Sequence, residues 1–443
     1  MKITRLPVDT GVSGWNGILP PAAPAQQLSD TITADWLVIG GGFAGLSAVR
    51  RLTQLHPDAR IVLLEAKRIG EGPAGRNTGF MIDLPHHLTS EGYGSALEKD
   101  RKDARSNRTA IEFAAEMAAE FGLSDEAFVQ SGKANAAATE HGCKHNLEYA
   151  AHLKKLGEAH EILDAAQMRE MTGSDYYLNG LVTPGAAVIQ PAMYVRGLAA
   201  GLSSNRVSIY ENSPVVELTR DKDWTARSTS GSVTAPKVIM AVNGHANSFD
   251  KFKGRLIHIH LYGSMTRALT ADECKRLGGQ SRWGLTPADP MGSTVRRISG
   301  TGGDRIIMRN RFTYDPSMRV SEARVSKMGE THDKSFAARF PMLKDVEMEH
   351  RWGGRLCLSR NSVPALGEVD ENLYSACCQN GLGVAKGTLH GKLMAELASG
   401  MDSDLLTEVM EQDQPHRIPP QPLAYIGANA VLKWSEYKAG REI

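Results

Sequence analysis

The sequence predicts an α/β protein: a Rossmann-like nucleotide-binding domain assembled from discontinuous segments, with a second sheet domain inserted. Three observations predict it. A strand, glycine loop, helix, strand and acid follow one another near the N-terminus. Short apolar strands near 207, 238 and 374 recur in the same α/β setting. Between them lie strand-rich stretches of another character, with turn glycines at Gly292, Gly300, Gly302 and Gly303.

The first unit carries the most information. Trp36-Leu37-Val38-Ile39 reads as a strand, and Gly40-Gly41-Gly42-Phe43-Ala44-Gly45 opens a helix through Leu46, Ala48, Val49 and Leu52. A second strand, Arg60-Ile61-Val62-Leu63-Leu64, ends at Glu65. An acid about 20 residues beyond the glycine loop is the spacing of a dinucleotide-binding βαβ unit. Gly40 permits the tight turn, Gly42 lets the backbone approach a pyrophosphate, and Gly45 lets helix and strand pack closely. The helix N-terminus offers unpaired N–H groups to the phosphates. Glu65 can accept from both ribose hydroxyls and repels a 2′-phosphate, which disfavours NADP. Phe43, Ala44, Ala66 and Lys67 complete the candidate set at this end.

The whole chain bounds the rest. Its 443 residues suffice for two or three domains. Net charge is +1, so no global field points to nucleic acid or a membrane surface. No run of eighteen apolar residues suggests a membrane span, and Met1-Lys2-Ile3-Thr4-Arg5 lacks a signal-peptide h-region. Five irregularly spaced cysteines suit a reducing cytoplasm without a disulfide framework. His141-Gly142-Cys143-Lys144-His145 has ligand-type residues at i, i+2 and i+4, but no complementary cluster accompanies it; a surface segment is expected, and no metal.

In order along the chain, residues 1–30 are expected to form a polar arm along the surface, anchored by Trp15. Residues 94–122 have helical spacing, Phe128-Val129 and 134–138 read as strands, and 145–156 as a helix. Gln190-Pro191 starts a helix to about 202. Strands are expected at 207–210, 215–218, 237–242 and 372–378, a helix near 384–399, and a helical segment around Trp434 in a proline-bearing tail.

Two further loops suit a cofactor larger than NAD. Gly75-Arg76-Asn77-Thr78-Gly79 can wrap phosphate and ribityl groups, with Arg76 as cation and Asn77 as donor and acceptor. Gln379-Asn380-Gly381-Leu382-Gly383 sits at a predicted helix N-terminus, whose positive end suits the N1/C2=O edge of a reduced, anionic flavin.

Four blocks together resemble the FAD-dependent D-amino-acid oxidase, glycine oxidase and sarcosine oxidase superfamily. They are 38–48, 74–80, Val188-Ile189-Gln190-Pro191, and Arg351-Trp352-Gly353-Gly354 through Asn361, Pro364 and Gly367 to Asn380-Gly381-Leu382-Gly383-Val384. The tryptophan-bearing arm and the Trp-Gly-Gly block resemble the gamma-glutamylputrescine oxidase-like branch. The resemblance implies an FAD domain, a substrate domain whose mainly antiparallel sheet covers the flavin, and oxidation of a C–N bond by hydride transfer to flavin N5. By position, Gly40, Gly42, Gly45 and Glu65 would hold the ADP moiety. Arg76, Asn77 and Thr78 would lie by pyrophosphate and isoalloxazine, with Gly75 and Gly79 shaping the loop. Val215 or Val216 would pack near adenine. Asn243, Gly244, Gly353, Asn380, Gly381, Leu382, Gly383 and Val384 would line the cofactor. Some relatives hold FAD through a cysteine near Cys357; the spacing to Gly367 differs, so FAD is expected to be non-covalent. The implied division is 31–115, 186–255 and 346–412 for the FAD-binding domain, 116–185 and 256–345 for the substrate domain, and 413–443 for the tail.

Amine oxidation needs an oriented C–H bond and a neutral amine rather than a strong side-chain base. His258, His260 and Tyr262 alternate along one predicted strand and can share a face. Residues 256–330 carry 12 Lys+Arg against 7 Asp+Glu, with Arg296, Arg297, Arg305, Arg309 and Arg311 clustered. One of these can clamp a carboxylate, sulfonate or phosphonate. His258, His260, Tyr262 and Arg309 form the candidate substrate-site set. The expected partners are a small-molecule amine and an electron acceptor, O2 or another. An FAD-dependent 2-hydroxy-acid dehydrogenase, a flavoprotein subunit of a multi-subunit dehydrogenase and an NAD-dependent dehydrogenase are the alternatives.

Overall fold

The computed structural model describes residues 1–85 and 97–443. Positions 94–96 of the expected helix lie outside the described residues; the remainder forms Leu97–Glu120.

A six-stranded sheet carries the nucleotide-binding architecture. Its order is Val207–Tyr210, Ile61–Leu64, Trp36–Ile39, Lys237–Met240, Leu373–Cys377 and Ala365–Asp370. The first five are parallel and the last antiparallel. All five strands expected in an α/β setting meet in this one sheet. Trp36–Ile39 and Ile61–Leu64 are buried at every position, which explains their continuous rather than alternating apolar runs. Helices Phe43–Leu55, Pro191–Leu202 and Gly383–Ala398 cover one face through Leu46, Val49, Leu198, Leu389 and Leu393. A four-stranded sheet, including Glu217–Arg220, Trp224–Arg227 and Ser232–Ala235, covers the other through Leu218, Trp224 and Val233.

An eight-stranded, mainly antiparallel sheet forms the second layer. Its order is Met348–Ser359, Leu256–Thr266, Arg305–Tyr314, Thr294–Ile298, Trp283–Pro287, Lys133–Ala137, Asn179–Thr183 and Glu161–Asp164. Trp283–Pro287 and Lys133–Ala137 run parallel, and the other neighbours antiparallel. Met348–Ser359 lies beyond the boundary expected at 345, yet it pairs along its length with Leu256–Thr266. Its Trp-Gly-Gly segment is therefore part of the large sheet. Helix Glu322–Arg339 packs behind this sheet through Phe336.

The N-terminal arm is mostly exposed and is pinned at a few points. Ile3, Trp15 and Leu28 are buried, and the Trp15 indole donates to the Asn77 carbonyl at 2.8 Å. His141–His145 lies within the first turns of helix Glu140–Leu156. The tail forms helix Leu423–Ala439, which reaches the large sheet through the Arg311–Glu436 ion pair. No described helix is long and apolar enough to cross a membrane.

Candidate active site

The early glycine loop makes a phosphate cradle by sterics. Gly40 has φ +104°, and a Cβ there would lie 2.6 Å from the Ala241 carbonyl oxygen. A Cβ on Gly45 would lie 1.8 Å from the Gly40 carbonyl oxygen, so this helix starts against its own strand only as glycine. Gly42 is different. Its nearest obstacle to a Cβ is the Ala74 methyl at 3.5 Å, so the space in front of it is open. Gly42 caps helix Phe43–Leu55 with no side-chain bond, leaving the first-turn N–H groups to a ligand. The Glu65 carboxylate accepts from the Gly41 N–H at 2.8 Å and the Lys67 N–H at 3.0 Å. Burial raises its pKa, opposed by those two N–H groups.

A cavity of about 280 Å³ runs from this cradle to the late glycine loop. Gly40, Gly42, Phe43, Ala44, Glu65, Ala66 and Lys67 line it at one end, and Gly381, Gly383 and Val384 at the other. Asn77, Thr78, Val215, Asn243 and Gly244 line its walls. A second helix, Gly383–Ala398, opens onto the cavity with no side-chain cap, and nothing lies within 4 Å of a Cβ on Gly383. The late loop is held open from behind. Asn380, at φ +49°, accepts from the Ser359 N–H at 2.8 Å and donates to the Val363 carbonyl at 2.8 Å. Two uncapped helix N-termini thus face one elongated cavity, which suits a ligand with a diphosphate at one end and an electron-rich ring edge at the other.

Several expected contacts instead sit behind the cavity wall. A Cβ on Gly75 would lie 1.9 Å from the Gly70 carbonyl oxygen, and one on Gly79 would lie 2.3 Å from that of Ile189. Val216 bonds the backbone of Ile3 and Arg227. The Gly353 carbonyl accepts from Arg76 at 3.1 Å. Arg76 is spent in the same way: its guanidinium also donates to the carbonyls of Glu71, Thr10 and Gly11. The cation expected for a pyrophosphate therefore ties three backbone segments together, at 10–11, 71 and 353.

A second cavity, about 170 Å³, adjoins the first. Pro73, Asn77, Thr78, Phe80, Arg355, Leu356 and Gly381 line both. Its own walls include Tyr262, Thr286, Thr294, Arg309, Phe312, Trp352 and Leu382, drawn from strands far apart in sequence. His258 and His260 line the first cavity, whereas Tyr262 lines the second. A β-bulge between Leu261 and Tyr262 interrupts the pairing with Arg305–Tyr314 and accompanies this divergence. Both histidines are buried, and their pKa values fall to about 4. Desolvation is the main cause, followed by Arg5 for His258 and Arg355 for His260. They are neutral at physiological pH.

Among the described residues, four of the five clustered arginines are engaged by backbone carbonyls or carboxylates, and Arg309 is the fifth. Arg296 donates to the carbonyls of Thr78 and Ile189. Arg297 donates to those of Gly278 and Gln280, Arg305 pairs with Glu349, and Arg311 with Glu436 at 3.0 Å. Arg309 lies over the Phe312 ring at 4.8 Å and makes no ion pair among the described residues. Burial lowers its pKa to about 10, so it stays charged. Beside it, the Tyr262 hydroxyl meets Thr313 Oγ1 at 2.6 Å, and Thr313 donates to Asp315. No Asp or Glu among the described residues lines this cavity.

Sequence reasoning missed Asp9 and Arg355, which line the first cavity with Ile3, Arg5, Leu6 and Pro7. Arg355 directly follows Gly353-Gly354 and was within reach of the motif; the N-terminal residues carry no local signal.

The comparisons with known proteins agree with this architecture. Residues 35–397 match the family described as FAD dependent oxidoreductase, and the chain belongs to that family. It is 28% identical over 393 residues to gamma-glutamylputrescine oxidoreductase of Escherichia coli, covering 85% of this chain and 86% of that protein. Among solved structures it is similar to glycine oxidase from Geobacillus kaustophilus, with TM-score 0.69, 19% identity, and coverage of 88% and 100%. L-Proline dehydrogenase from P. horikoshii gives TM-score 0.64 at 17% identity, covering 86% and 96%. The resemblance drawn from the four sequence blocks is borne out, and FAD is the family cofactor. The open glycines and the two uncapped helix ends fit it.

Proposed function

We propose that this FAD-dependent oxidoreductase oxidises the C–N bond of a small amine or amino acid bearing one compact anionic group. The single observation carrying this reading is Arg309: a half-buried cation on the wall of the second cavity with no carboxylate partner among the described residues. A charged guanidinium in that position lacks half of a bidentate pair, which an anionic substrate supplies. The absence of acids among the described lining residues argues against a diamine, whose second ammonium would need one.

FAD, when bound, supplies the hydride-accepting N5 atom. The chain's own residues orient and desolvate the substrate. Arg309 fixes the anionic end. Thr313 donates its proton to Asp315, so the Tyr262 hydroxyl donates to Thr313, and a lone pair on Tyr262 Oη is left for a substrate N–H. Burial raises the Tyr262 pKa, keeping it a neutral acceptor. Phe80, Phe312, Trp352 and Leu382 exclude water around the carbon to be oxidised. The resulting imine would hydrolyse to an aldehyde or keto acid, with O2 or another acceptor taking the electrons.

The test is an anaerobic panel of amino acids, aminoalkyl sulfonates and phosphonates, diamines and 2-hydroxy acids, read by bleaching of the visible flavin band. Bleaching by small anionic monoamines is expected. Bleaching only by hydroxy acids or diamines would refute the reading.

A further inference from the structure

We propose that residues Met1–Val12 form a strap that closes over FAD and sets its rate of release, latched by an ion pair between Asp9 and Arg355. The inference rests on the family cofactor and not on the substrate reading, so failure of the amine panel leaves it standing.

Three separate attachments hold the strap across the first cavity. At one end its backbone joins the sheet beside Val215. The Ile3 N–H donates to the Val216 carbonyl at 2.8 Å, the Leu218 N–H donates to the Met1 carbonyl at 2.9 Å, and Lys2 bridges Glu217 in antiparallel fashion. At the other end, Arg76 donates to the Thr10 carbonyl at 3.0 Å and the Gly11 carbonyl at 2.6 Å. Thr10 Oγ1 donates to the Val320 carbonyl at 2.6 Å.

Between these ends, Ile3, Arg5, Leu6, Pro7 and Asp9 form part of the cavity wall itself. The Asp9 side chain is only 1% exposed, 2.9 Å from an Arg355 guanidinium nitrogen and 3.8 Å from Lys67 Nζ. An acid so deeply buried needs both cations. Lys67 follows the ribose-end acid Glu65, and Arg355 lines the cavities at their junction. The latch therefore ties one end of the cofactor site to the other. Its geometry also gives Arg76 a purpose: the guanidinium expected to touch FAD anchors the segment that covers it.

Two FAD-loaded variants test this, one lacking Lys2–Pro7 and one carrying Asp9→Asn. Release is followed by flavin fluorescence after dilution into an excess of an unrelated flavin-scavenging apoprotein. The expected result is FAD release about tenfold faster than in the parent, with the loss of affinity residing in the off-rate. In the unmodified protein, FAD is expected to slow tryptic cleavage after Arg5, a readout that stands even where the deletion prevents folding. Release within about twofold of the parent in Asp9→Asn, or cleavage after Arg5 indifferent to FAD, would overturn the proposal.

Discussion

Replacing Arg309 with methionine keeps the side chain's bulk while removing the cation from the second cavity. Truncating one partner of a buried, hydrogen-bonded charge pair costs about 2–5 kcal/mol. Taking about 3 kcal/mol, kcat/KM for an anionic amine should fall about 150-fold, since about 1.4 kcal/mol is a factor of ten. The resting protein should lose only the contact over the Phe312 ring. Arg309 has no ion-pair partner there among the described residues, and burial has already pulled its pKa to about 10. The charged group therefore costs the folded state on the order of 1–3 kcal/mol. The melting temperature of R309M should be unchanged or raised. The assay is anaerobic flavin reduction by an amino acid and by its carboxamide, compared in both proteins. The acid should suffer the full loss and the neutral amide only a small one. Equal losses on both compounds, or a marked drop in melting temperature, would refute the clamp and assign Arg309 to the scaffold.

The two inner glycines of the cradle should separate fold from ligand. Gly45→Ala places a methyl 1.8 Å from a backbone oxygen, and should lower the melting temperature of the FAD-free protein. Gly42→Ala meets nothing closer than 3.5 Å, so it should melt like the parent yet purify with little bound flavin; full flavin content would show that the phosphates lie elsewhere. The neutral histidines predict acid lability. With folded pKa values of about 4 against about 6.5 unfolded, the unfolded chain binds more protons between those limits. Stability should then fall as pH drops through that window, on the order of 2–3 kcal/mol per histidine. Urea midpoints measured against pH should show a shallower slope in H258Q/H260Q, and an unchanged slope would mean that the folded histidines already titrate normally.

What could be read from the sequence follows the range of the forces involved. The phosphate cradle is local: one strand, one loop and one helix start create it, and Gly40, Gly42, Gly45 and Glu65 sit within a single βαβ unit. Gly40 and Gly45 are required by contacts with neighbouring backbone and Gly42 keeps the approach to the helix end open, so their spacing alone carried the message. Strands Trp36–Ile39 and Ile61–Leu64 were legible for a similar reason, since burial on both faces writes a continuous apolar run into them. The second cavity is not local. Tyr262, Thr286, Thr294, Arg309 and Trp352 meet only because five strands take a particular order. Of five clustered arginines, only the positions of Gly278, Glu349, Glu436 and the other partners decide which four are spent and which remains free. The same holds for Asp9: nothing in a polar N-terminal arm announces that its acid pairs with a guanidinium 346 positions away. Backbone sterics and apolar periodicity are recorded within a few residues. Charge pairing is recorded only in three dimensions, because a side chain's partner depends on which strands the completed sheet brings alongside it.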